Sequence, residues 1–427
     1  MHSLLRGPYA AIGLLAEAGA AVAPPGNAKW LRALRARRGV TRRFRAFAPQ
    51  RDTSRQLVWF HAPSVGECLL TVPVARILRA EEPAPQIAVT WYSPSAEAFV
   101  DRIDADFGDY LPFDTTRAAR EALDALRPSA LVFANLDVWP VLAREASRRG
   151  VRLGLVSAMM RAGSSRMTPL ARGLLHDAYS SLDLVGAIGE PDAARLVKLG
   201  VRPEAIQVTG DSRYDQAWNR AQRANRPQPF LPAGPPTLVA GSTWKTDESV
   251  LLPAWDRVRT LLPDARLVIA PHEPTRQHLA PIASWASSRG WRVETIDGPS
   301  VSGADLVLVN RIGILADLYA EGAAAYVGGG FHAAGVHSVL EPAALGRPVV
   351  FGPRGRDNAE AARLLKAGGG VAVDDHDALA ETLREWLGSP HTCALAGEAA
   401  RGVVRDGLGA AGRSAGLVRS LLAQGAG

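Results

Sequence analysis

Short apolar runs alternate along this chain with longer stretches in which apolar residues recur every three or four positions. "QLVWFH", "QIAVTW", "ALVFAN", "RLGLVS" and "LDLVGAI" read as strands in the first half. Between them, segments such as 67–80, 115–127 and 138–149 carry helical periodicity and a charged face. A polar, proline-rich break follows, "NRAQRANRPQPFLPAGPP", from Asn219 to Pro236. A second series then begins, "TLVAGS", "RLVIAP", "DLVLVN", "AAYVGGG", "RPVVFGP" and "GGVAV", again with helices between. This alternation predicts an α/β fold of parallel sheets covered by helices on both sides. Two doubly wound, Rossmann-like domains in series would face a central cleft, the usual place for a ligand. The expected division is a basic N-terminal segment (1–55), a first domain (56–218), a linker (219–236), a second domain (237–390) and a helical tail (391–427). A length of 427 residues fits two cores better than one.

Composition narrows the class. Hydrophobic residues make up 47% and charged residues 21%, as in a folded soluble protein. The two cysteines, Cys68 and Cys393, lie far apart and lack metal-ligand spacing, which argues for a reducing compartment and against a disulfide scaffold or zinc site. The net charge of +7 is uneven: from Lys29 to Arg55 there are ten basic residues and one acid, Asp52. Upstream, "GPYAAIGLLAEAGAAVAPP" is interrupted by Glu17 and ended by Pro24-Pro25. It falls short of the roughly 20 apolar residues of a spanning helix and lacks the basic start of a secretory signal beyond His2 and Arg6. The expectation is an amphipathic segment on a membrane surface, its basic run drawn to anionic headgroups. The alternative is a solvated helix packed on its own domain. Nucleic acid is disfavoured, since no aromatic interleaving or binding motif accompanies the charge.

Several chemistries are excluded by motif. No strand is followed by G-x-G-x-x-G, and "AGSTWKTDES" lacks the glycine that a P-loop needs before Lys245. The strand in "LVWFHAPSVGE" ends in a Ser-Val-Gly turn and then Glu67. Glu67 reads as a first-turn acid favoured by the helix dipole, or as a reactive group at a strand end where open sheets bind ligands. A third reading is a near-miss to the G-x-S-x-G nucleophile elbow, with Ser64 as nucleophile. There Ala62 replaces the first glycine, and Pro63 constrains the turn.

Taken in order, "HAPSVGE", "YLPFD", "VWP", "VTGDSRYD", "STWKTDES", "VGGG" and "HSVLEPAALGRPVVFGP" span about residues 57–375. Together they resemble the bacterial 3-deoxy-D-manno-octulosonic acid (Kdo) transferases of lipopolysaccharide synthesis. The resemblance implies a metal-independent, inverting glycosyltransferase of the two-Rossmann (GT-B) type, without cofactor. It would move Kdo from CMP-Kdo to a lipid A-type glycolipid at the cytoplasmic face of the inner membrane. It makes Glu67 the catalytic base, with Ser64 and Gly66 letting a substrate approach. On the donor side it brings in Pro271 and Arg276, and His272 where the family usually has arginine. Gly328, Gly329 and Gly330 would offer backbone N–H groups to a phosphate, next to His337, and Glu341 would bind ribose hydroxyls. Ser338 stands where the family has asparagine, and Arg213 where it has lysine. Ser242 and Thr243 would add hydroxyls. Asn135 and Asp137 replace two glutamates on the acceptor side, which leaves the acceptor and the exact sugar open. Two other classes remain: a UDP-sugar transferase or epimerase of the same architecture, and a non-catalytic glycolipid-binding relative.

Overall fold

The computed structural model describes residues 3–26, 28–97, 103–224, 229–231 and 234–424. They form two compact units: Met1–Gln216 with Gly409–Gly427, and Ala217–Leu408. In the first unit β1 (Leu57–His61), β2 (Gln86–Trp91), β3 (Phe107–Tyr110), β4 (Ala130–Ala134), β5 (Arg152–Ala158), β6 (Leu184–Ala187) and β7 (Ile206–Val208) form one sheet, ordered β3-β2-β1-β4-β5-β6-β7. All pairs are parallel, with Val58 opposite Ile87 on one side and Ala130 on the other. Every residue of β1, β2 and β4 is buried, as expected of strands covered on both faces.

The second unit repeats the plan. Its strands are β8 (Thr237–Thr243), β9 (Arg266–Pro271), β10 (Val293–Thr295), β11 (Leu306–Leu308), β12 (Ala324–Val327), β13 (Val349–Phe351) and β14 (Gly370–Ala372), in the order β10-β11-β9-β8-β12-β13-β14. In both sheets the strand order reverses direction beside the first strand, between β1 and β4 and between β8 and β12. Such switch points open a crevice at the carboxyl ends of the strands.

Helices α1 (Ser3–Val22), α2 (Lys29–Ala36) and α3 (Val40–Phe47) are built onto the first unit. Phe44 of α3 packs edge-on against Phe107 at 4.7 Å, and Tyr9 of α1 donates to Asp114 at 2.7 Å. The Arg38 guanidinium caps the end of α1 through the carbonyls of Ala20 and Ala23. Ile12, Leu14, Leu15, Val22 and Trp30 remain exposed. Among the described residues no helix is long and apolar enough to cross a membrane.

The chain ends differ from a simple linker-and-tail division. The helix Ser212–Arg223 runs into the stretch expected to begin the linker, of which 225–228 and 232–233 lie outside the described residues. Of the two tail helices, Pro390–Asp406 stays with the second unit, whereas Ala410–Gln424 returns to the first. There it lies so close to β5 that a Cβ on Gly154 would come within 2.6 Å of Leu421.

Candidate active site

At the switch point of the first unit, β1 is followed by Ser64 as N-cap and then by α4 (Val65–Arg79), which places Glu67 in the first helical turn. The Ser64 hydroxyl leaves the helix N–H groups uncapped and donates to Glu67 Oε2 instead. β4 ends at Ala134, and Asn135 takes the left-handed conformation at φ 63°, which asparagine tolerates better than most residues. That turn lets the Asn135 amide donate to Glu67 Oε1 at 3.3 Å, while its carbonyl accepts from Met159 N at 3.4 Å. Glu67, Asn135 and Asp137 line a pocket of about 450 Å³ with Pro63, Arg161 and Arg166 among its other walls.

Asp137 is fixed from behind. Its Oδ2 lies 3.2 Å from Nε2 of the fully buried His61 and accepts from Trp139 Nε1 at 3.0 Å. Burial would raise its pKa, but the hydrogen bond and charge of His61, with Trp139 and Arg166, outweigh that and hold it below the ordinary aspartate value. The other His61 nitrogen faces Thr90, 3.1 Å from Oγ1 and 3.2 Å from the carbonyl oxygen. His61 opens the motif that carries Glu67, and its place as the last residue of an all-apolar strand was the sequence signal that it serves a buried polar partner.

Ser64 has extended backbone, φ −142° and ψ 178°, and bonds to a carboxylate. The strained, histidine-paired serine of a nucleophile elbow is therefore not built here. At Gly66 an added Cβ would meet nothing nearer than Ser64 Oγ at 3.8 Å, so packing does not demand glycine there.

In the second unit the carboxyl ends of β8, β9 and β12 carry Ser242 and Thr243, Pro271 and His272, and Gly328 to Gly330. Asp247, completely buried, organises them: it accepts from Trp244 N at 2.9 Å, Gly329 N at 2.8 Å, Phe331 N at 3.2 Å and Tyr326 OH at 3.2 Å. Gly328 N–H is taken by Gly241 O at 2.9 Å. Two of the three N–H groups expected to meet a phosphate are thus already engaged, and the glycines serve close backbone approach. A Cβ on Gly328 would stand 2.2 Å from Ser242 O, and one on Gly330 2.3 Å from Gly352 N. The Thr243 hydroxyl is likewise committed, donating to Glu248 at 2.8 Å.

Over these turns lies an aromatic column that the residue pattern did not reveal. Trp244 stacks on His332 at 4.1 Å and on His272 at 4.5 Å, and donates its indole N–H to His337 Nε2 at 3.1 Å. Burial, then the neighbouring imidazoles His272 and His332, lower the His337 pKa. Ser338 is exposed, and Arg276 is exposed at the start of the helix Arg276–Ser287. Half-buried Glu341 sits in the five-residue helix Leu340–Ala344, too short to act as an anion-binding helix end. Burial raises its pKa, opposed by Arg220 and reinforced by Asp317. Arg213, expected on the donor side, belongs to the first unit and grips Asp211 through Nε at 2.9 Å and Nη2 at 2.5 Å. Its guanidinium is occupied by the acid two residues earlier.

Residues 33–216 match the family model of 3-deoxy-D-manno-octulosonic-acid transferase (kdotransferase). The chain is 29% identical over 343 residues to the 3-deoxy-D-manno-octulosonic acid transferase of Chlamydophila psittaci, covering 78% of each protein. It is 25% identical to that of Haemophilus influenzae, covering 86% of this chain and 87% of the relative. Its fold is similar to UDP-GlcNAc 2-epimerase from Neisseria meningitidis, with a TM-score of 0.62 at 14% identity, covering 86% of this chain and 100% of that one. The glycotransferase of kitacinnamycin gives a TM-score of 0.52 at 17% identity, covering 86% and 99%.

Proposed function

We propose that this chain, a glycosyltransferase of GT-B fold similar to the Kdo transferases, transfers Kdo from CMP-Kdo to a lipid A-type glycolipid with inversion. Glu67 is the general base. Its carboxylate stands in a pocket of about 450 Å³, oriented by Ser64 on one oxygen and Asn135 on the other. This observation carries the reading. Two donors that aim a carboxylate without filling the pocket leave a lone pair free to accept the acceptor hydroxyl's proton as its oxygen attacks the anomeric carbon. CMP is a competent leaving group, so most of the remaining barrier is met by positioning and by neutralising phosphate charge.

The nucleotide is assigned to the second unit, at the crevice where β8 and β12 part, with His272, Ser242, Gly330, Ser338, Arg276 and Glu341 as its contacts. No metal is required for this step. The exposed apolar side of α1 and the basic run from Lys29 to Arg55 support docking on the cytoplasmic membrane surface, where a glycolipid acceptor resides.

CMP release from CMP-Kdo, measured with and without lipid A precursor, tests the reaction. Wild type should release CMP rapidly only with acceptor, and Glu67→Gln should be slower by about 10²–10⁴-fold. Undiminished turnover in Glu67→Gln would remove the base from the mechanism. Acceptor-dependent release of UDP in place of CMP would move the protein to the UDP-sugar class.

A further inference from the structure

One wall of the Glu67 pocket is the loop that follows β5. Its turn, Arg161 to Ser164, is closed by Ser164 N donating to Arg161 O at 3.2 Å. Gly163 takes the left-handed third position of that turn at φ 77°. The backbone just before it is pinned to the helix Glu190–Leu199: Met160 N donates to Asp192 at 2.7 Å, and Met160 O accepts from Arg195 at 2.9 Å. Met159 N is held by Asn135, which also orients Glu67. The main chain of Arg161 is therefore fixed on the same frame as the base. Its side chain is exposed and lines the pocket of about 450 Å³. Among the described residues its guanidinium has no hydrogen-bond, ion-pair or ring partner.

Four charged side chains line this pocket: Glu67, Asp137, Arg161 and Arg166. Arg166 lies 3.9 Å from Asp137 Oδ1. Glu67 is held by neutral donors, Ser64 and Asn135. Arg161 is left to meet a charge that arrives with a ligand. Kdo is a 2-ulosonic acid, so its carboxylate is attached directly to the anomeric carbon. When an acceptor oxygen that gives its proton to Glu67 attacks that carbon, the sugar carboxylate comes close to the carboxylate of the base. Like charges at such range repel, more strongly away from bulk water. A free guanidinium on the wall of the same pocket offsets that repulsion. A phosphate elsewhere on the acceptor has no such obligatory place beside the base.

We propose that Arg161 binds the carboxylate of the donor sugar and makes the pocket selective for sugars that carry an acid on the reacting carbon. The planar guanidinium matches two carboxylate oxygens at once, where an ammonium acts only as a point charge. A neutral sugar in that place leaves the guanidinium unmatched. The choice of sugar rests on the transferase reading, but Arg161 is tested by binding alone and transfer by CMP release, so either can fail without the other.

Saturation-transfer NMR titrations of the full chain with free Kdo, with Kdo methyl ester and with glucosamine 1-phosphate provide the test. Wild type should bind Kdo about 10-fold or more tighter than its uncharged ester. Arg161→Gln should abolish that preference, and Arg161→Lys should keep part of it. An arginine with only a structural role would weaken acid and ester alike, so an undiminished preference in Arg161→Gln overturns the proposal. Wild type binding acid and ester equally, or binding neither, overturns it too. Tighter binding of glucosamine 1-phosphate than of Kdo, lost in Arg161→Gln, would give the guanidinium to a phosphate and overturn the carboxylate assignment. Acid preference through Arg161 without CMP release from CMP-Kdo would uphold the assignment and sink the transfer reading.

Discussion

Asp137 Oδ2 has two neighbours whose protonation states differ in kind. The Trp139 indole N–H always donates, while His61 Nε2 donates only in one tautomer or when charged. Because the folded-state pKa of Asp137 lies below its ordinary 3.8, the ionised form stabilises the fold. That contribution is complete above the unfolded value and disappears as pH falls through the lower folded one. Asp137→Asn should therefore cost about 1.5–3 kcal/mol near neutral pH. Its stability gap from wild type should narrow as pH drops below 3.8. Urea melts of both proteins across the acid range measure this, and a gap that stayed constant would show that His61 does not hold the ionised carboxylate. Asp137 was recognised in the chain from its neighbours Trp139 and Pro140, as a shortened stand-in for a glutamate. What residue type could not reveal is that this carboxylate meets a buried imidazole; the partner is 76 positions away.

Two glycines of similar appearance in the chain have opposite meanings at the level of turns and strands. Gly328→Ala would drive a Cβ to 2.2 Å from the Ser242 carbonyl oxygen, so backbone must move and the second unit should lose about 3 kcal/mol or more. Gly66→Ala meets only Ser64 Oγ at 3.8 Å and, at the first turn of α4, should change stability by less than about 1 kcal/mol. Thermal unfolding of the pair decides this, and equal midpoints would refute the contrast. The strands themselves were mostly plain in the sequence, because a strand buried on both faces must be written as a continuous apolar run. The three that were not, β3, β7 and β10, are all sheet edges, where one side of "FGDY", "IQV" and "VET" meets solvent and the pattern dissolves. The glycine turn was legible as a turn, yet the partners of its N–H groups were not: Gly328 N–H goes to Gly241 O, and Gly329 N–H to Asp247, a residue with no periodic signal.

At the scale of the molecule, the first unit carries exposed apolar residues, Ile12, Leu14, Leu15 and Val22, on a helix anchored through Tyr9 and Arg38. Leu14→Glu with Leu15→Glu should reduce partition onto anionic vesicles about 10-fold or more, since each leucine buried is worth about 1.5–3 kcal/mol. Sedimentation with vesicles reads this directly; undiminished binding would assign the attraction to the basic run alone, which salt should then abolish. The return of Ala410–Gln424 onto β5 has a different sort of outcome. The half of the protein made first by the ribosome is the half completed last. Until Ala410–Gln424 has been made, the groove beside Gly154 has no cover, although every strand of the second unit has already been made. Losing Ala410–Gln424 would therefore damage the unit that opens the chain and leave the strands of the second in place.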